Sequence, residues 1–112
     1  MSSDGSPPFL EIEIIGASME PTLAKGERVR VRFGVPALGF VAAIQAGNSV
    51  IVHRLVDSFR WRGKRYFVHI GDASKVPGIC AEHELLGPIE DLEPRMFGYL
   101  RRLKLRLRAL RR

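Results

Sequence analysis

Cysteine is nearly missing from this chain. Cys80 is the single one in 112 residues, so no intrachain disulfide can brace the fold, which fits a reducing compartment. It has no CxxC partner, and a small buried apolar role suits it better than a reactive thiol. No stretch approaches the roughly 20 apolar residues that a membrane-spanning helix needs. Residues 1–8 are polar and turn-rich, without a basic region leading into an apolar one, and read as a flexible tail rather than a signal peptide. The three histidines, at 53, 69 and 83, lack a metal-ligand spacing, and there is no glycine-rich phosphate loop. These absences point to a cytoplasmic chain without a transmembrane segment, a metal or an organic cofactor.

Acidic residues are missing from one region only. Residues 95–112 hold eight bases and no acid, whereas the rest of the chain holds 10 bases and 12 acids. The net charge of +6 therefore belongs to the C-terminal tail. On a helical projection Met96, Tyr99, Leu100, Leu103, Leu107 and Leu110 share a face and the bases cover the remainder, with Leu105 the misfit. Pro94 suits the first turn of such a helix and Glu93 its positive end. A basic amphipathic helix over 93–112 would serve a membrane surface, self-association or an acidic partner. Aromatic residues are not interleaved with the bases, which argues against single-stranded nucleic acid.

Before the tail the pattern is strand-like. Residues 9–15 and 27–33 alternate apolar and charged, with Val29, Val31 and Phe33 on one face of the second run. Residues 40–44 are a short apolar run. Residues 49–56 place Ile51, His53 and Leu55 on one face and Val50, Val52, Arg54 and Val56 on the other. Both faces are largely apolar, as in a central strand. Residues 58–70 read as a hairpin turning at Arg62-Gly63-Lys64. Residues 75–83 read as irregular, and residues 84–90 as a last strand broken by Gly87-Pro88. At 112 residues this is a single small domain over 9–92. With about seven short strands and no helix before the tail, its class is mostly β.

Between the first two runs lies Gly16-Ala17-Ser18-Met19-Glu20-Pro21-Thr22-Leu23. Small residues at 16 and 17 let a substrate backbone approach, and Pro21 stiffens the loop. A serine held by strands on both sides is well placed to act as a nucleophile, but its hydroxyl needs a base, and the base needs an orienting group. His53, with an imidazole near neutrality, and Asp72, with a carboxylate, supply those types. Lys25, Lys64 and Lys75 sit in polar loops or turns that would not desolvate a lysine base. His69 reads as structural or exposed, and His83 as solvated.

Gly-x-Ser-Met-x-Pro-Thr-Leu resembles the serine box of the signal peptidase and LexA-type peptidase superfamily. Val52-His53-Arg54 and Gly71-Asp72 resemble two further boxes of its histidine-base branch, that of archaeal and endoplasmic-reticulum signal peptidases. The resemblance spans roughly residues 10–90. It implies a coiled, barrel-like β-sheet fold and a serine endopeptidase acting on a peptide or protein substrate. In it Ser18 is the nucleophile, His53 the general base and Asp72 the orienting acid, while Gly16, Ala17, Met19 and Pro21 lie around the substrate and oxyanion. The chain departs from the family at Gly16, where many members carry a serine whose hydroxyl faces the oxyanion. It departs again in lacking the usual membrane anchor, so any membrane contact would be peripheral. The competing expectation is a catalytically silent peptide-binding or assembly module on the same fold. A third is an adaptor whose working part is the basic tail.

Overall fold

The computed structural model describes residues 9–92. The expected tail over 1–8 and helix over 93–112 lie outside the described residues. Seven strands follow one another: β1 (Phe9–Glu13), β2 (Arg28–Arg32), β3 (Val41–Ala46), β4 (Ser49–Trp61), β5 (Lys64–Ile70), β6 (Gly78–Ala81) and β7 (Leu85–Pro88). A single 3-10 turn, Glu82–Glu84, precedes β7. Every strand pair is antiparallel, and the described residues form a mostly-β domain.

β1 and β2 make a two-stranded sheet, and the other five make a sheet in the order β6-β5-β4-β3-β7. The two sheets are stitched where Val31 bridges Ile89 and the Glu90 N–H donates to the Arg30 carbonyl at 2.9 Å. β4 is the central strand of five, as its two apolar faces require. Val52 packs against a core formed by Ile14, Met19, Leu23, Val29, Val31 and Val41. On the opposite face, Ile51 and Leu55 join Ala42, Ile44, Phe67 and Cys80. In β2, Val29 and Val31 are buried between exposed arginines, so its alternation marks the inward face. Phe33 lies beyond the strand and is half exposed.

Residues 75–83 are not irregular throughout, because β6 lies within them and pairs with β5. Four residues following Pro77 carry too little alternation to announce a strand, and the partner edge of β5 makes them one. The hairpin turn is shorter than expected: Lys64 already pairs with Trp61, which leaves Arg62 and Gly63, both at positive φ, as the two-residue turn. The five-stranded sheet departs from flatness at two register shifts, one in β3 beside β7 and one in β4 between Leu55 and Asp57. The second one shapes the site.

Candidate active site

β4 carries the site on its two faces. His53 lies on the Leu55 face and the adjacent Arg54 on the other. Arg54 is 1% exposed. Its Nε donates to Asp72 Oδ1 at 2.8 Å and its Nη2 to Asp72 Oδ2 at 2.7 Å, while Nη1 donates to the Gly39 carbonyl at 2.7 Å. Thr22, at the end of the serine loop, donates its hydroxyl to the same Asp72 carboxylate. This is a buried, bidentate ion pair to which a neighbouring hydroxyl adds a further hydrogen bond, the geometry in which such pairs hold.

The clamp fixes the serine loop onto the segment after β5. The Ala73 N–H donates to the Ser18 carbonyl at 2.8 Å, and the Asp72 N–H points at Met19 Sδ, 3.4 Å away. Gly71 lies so close to Ser18 that a Cβ there would come within 2.9 Å of Ser18 Cβ and closer still to its carbonyl oxygen. Only a residue without a side chain fits. Within the loop, the Glu20 N–H returns to the Ala17 carbonyl and the Leu23 N–H to the Met19 carbonyl, so the loop is a compact series of turns. The Glu20–Pro21 peptide is cis.

Ser18 and His53 line one cleft of about 540 Å³. One wall is residues 12–16, running from β1 into the loop, and the other is residues 48–53, the turn and first half of β4. Both walls have an unpaired strand edge among the described residues. β1 pairs only with β2. β4 is paired with β3 over residues 49–54, whereas its pairing with β5 begins at Arg54. Gly16 and Met19 also line the cleft, although Met19 is 1% exposed and packs mainly into the core. Ala17 and Pro21 are exposed and lie off the cleft walls.

At Nδ1 the imidazole of His53 is hydrogen-bonded to His69 Nδ1, 2.9 Å away. The rings are 5.0 Å apart, tilted by 45°. His69 is 6% exposed, a buried member of the site rather than an exposed residue. Burial lowers the His53 pKa from its ordinary value, with the Asp72 charge opposing. Burial also lowers that of His69, helped by His53 and opposed by Glu84. Both rings are therefore biased towards the neutral form that a base requires.

The remaining candidates fall where their surroundings suggested. Lys25, Lys64, Lys75 and His83 are exposed. Cys80 is buried, and burial first, then Glu84, pushes its thiol up to about 11, which keeps it protonated. Among the described residues no group of histidine, cysteine and acid side chains could hold a metal ion, and no helix is long and apolar enough to cross a membrane. No protein-family model, curated protein or solved structure matches this chain.

Proposed function

We propose that this chain is a serine endopeptidase resembling the histidine-base signal peptidases. The observation that carries the reading is the shared cleft, in which a serine on a braced loop and an imidazole biased towards neutrality line the same space. The serine box and the order Ser18, His53, Asp72 support the same assignment.

In the proposed reaction an extended peptide lies in the cleft and adds its backbone to the unpaired edges of β1 and β4. Ser18 Oγ attacks the scissile carbonyl carbon while its proton passes to His53 Nε2. The oxyanion is held by backbone N–H groups of the loop, that of Ser18 in the simplest case. His53 returns the proton to the leaving amine as the C–N bond breaks, which leaves an acyl-enzyme on Ser18. Water, deprotonated by His53, releases it. Asp72 contributes the negative charge that favours the imidazolium. Its hydrogen bonds to Arg54 and Thr22 hold the loop that carries Ser18. The basic tail over 95–112 would bring the domain to an anionic membrane surface or to a second copy.

One observation favours the second reading, a silent peptide-binding module. Arg54 and Thr22 both donate hydrogen bonds to Asp72, so the expected third catalytic member already has a structural task. Acylation decides between the two. A penem-type acylating probe should form a covalent adduct on Ser18, seen by intact-mass and peptide mass spectrometry. Ser18→Ala should abolish the adduct, and His53→Ala should slow its formation by about 10²-fold or more. A folded wild-type protein that forms no adduct would transfer the assignment to the binding module.

A further inference from the structure

The sequence pattern assigns the orienting role behind His53 to a carboxylate. The hydrogen bond at His53 Nδ1 instead goes to a second imidazole. We propose that His69 is the positioning residue of the site: its Nδ1 accepts the Nδ1 proton of His53, which fixes the His53 ring and leaves His53 Nε2 free to take the Ser18 proton. The inference rests on the peptidase reading for Ser18 and His53, and on independent geometry for His69.

Proton counting gives the bond its consequence. Two Nδ1 atoms 2.9 Å apart share one proton, so in a neutral pair one ring donates and the other carries its own proton on Nε2. If His53 donates, its Nε2 is a vacant acceptor and the site is competent. If His69 donates, His53 holds its proton on Nε2 and cannot act as a base. Adding one proton to the pair fills both Nε2 positions and also removes the base. Competence therefore needs the neutral pair with its shared proton on His53. When Ser18 gives up its proton, His53 becomes an imidazolium whose Nδ1–H is already directed at a neutral acceptor, a charge-assisted bond stronger than the one it replaces.

The surroundings of His69 suit an acceptor with a fixed orientation. The ring is buried. Gly78, its cross-strand partner on β6, leaves room for nothing more: a Cβ there would come within 2.5 Å of Cε1 and 2.8 Å of Nε2. The charged groups acting on the pair are Asp72, which acts on His53, and Glu84, which acts on His69. Arg54, bound to Asp72, lies on the opposite face of β4. Glu84 is itself held, accepting the Ala81 N–H at 2.8 Å.

The test uses the full chain labelled with ¹⁵N-histidine, and two-bond ¹H–¹⁵N correlation spectra that distinguish the tautomers. The expected wild-type spectrum has His53 as the Nδ1–H tautomer and His69 as the Nε2–H tautomer, the two titrating together in two macroscopic steps. His69→Leu, which fills the site without an acceptor, should release His53 from that tautomer and slow penem acylation of Ser18 on the order of 10²-fold. His69→Gln, whose amide oxygen can accept the Nδ1 proton, should recover a substantial part of that rate. A purely structural role would not separate the two variants. His53 found as the Nε2–H tautomer in the wild type would overturn the proposal, as would equal acylation rates in wild type, His69→Leu and His69→Gln. If His69→Leu does not fold, the wild-type tautomer decides alone. An Nδ1–H His53 in a protein that no penem acylates would leave the positioning of His53 by His69 standing and remove the peptidase reading, so the two failures are distinguishable.

Discussion

His53 and Arg54 are neighbours on β4, and the two sides of the site they serve are built in opposite ways. On the Arg54 side a guanidinium, a carboxylate and a threonine hydroxyl form a buried charged clamp whose hydrogen bonds tie the serine loop to the rest of the fold. On the His53 side two imidazoles, both biased towards neutrality by burial, share one proton. The first arrangement is costly to break because either ion left alone would be a desolvated charge that has lost its counter-ion. The second holds no permanent charge, because burial lowers both pKa values and favours the neutral rings. In the proposed peptidase, one face of β4 would hold the serine loop and the other would handle the proton.

The largest effect should come from breaking the charged side. Arg54→Met leaves the Asp72 carboxylate buried beside the serine loop, and urea unfolding should show a loss of about 3–5 kcal/mol. The double variant Arg54→Met with Asp72→Leu should recover most of that loss, since neither charge then remains. If the single variant were as stable as wild type, the clamp would not hold the loop.

Next come the two glycines, one on each side. Gly71→Ala drives a methyl group against the Ser18 backbone, and Gly78→Ala drives one against the His69 ring. Each should cost about 1–3 kcal/mol by overpacking, but with different second readouts. Gly71→Ala should displace Ser18 and suppress its acylation while leaving the histidine tautomers unchanged. Gly78→Ala should disturb the tautomers first. Identical responses would mean that the two faces are not independent.

The smallest effect is in the pH dependence of stability. The folded-state pKa values of His53 and His69 both lie below the ordinary 6.5, so the unfolded chain takes up protons first as pH falls. Stability is then complete above about 6.5, declines as pH drops below it, and levels off once the folded imidazoles also protonate. Denaturant melts of the wild type across this range should show that decline, and His69→Leu should make it shallower by removing one of the two groups. A slope of opposite sign would place the charged form of the pair in the folded state.

Much of this arrangement was legible in the residues. The alternation of Arg28–Arg32 gave an amphipathic strand, the two-faced apolarity of 49–56 gave a central one, and Gly16 to Leu23 marked a rigid serine loop between strands. Ser18 and His53 were both candidates, and they line one cleft. β6 escaped notice because Gly78–Ala81 are strand only by virtue of the β5 edge beside them. The reach of Arg54 to Asp72 was also hidden, since a Val-His-Arg sequence does not say that its arginine will be buried.

His69 is the clearest case of what pattern cannot decide. The hairpin turn at Arg62 and Gly63 sets a register in which Trp61 faces Lys64 and Asp57 faces Val68. Continued without interruption, that register would place His69 opposite Val56, on the Arg54 face. The shift between Leu55 and Asp57 sets His69 opposite Leu55 instead, on the face of His53, because one extra residue in a strand exchanges its two sides. The sequence by itself determined most of the strands, their inward faces and the candidate residue types, since alternation and turn residues act locally. The tertiary structure alone decided that a bulge falls at Val56, because its position depends on how β4 is shared between β3 and β5, and with it which imidazole meets which.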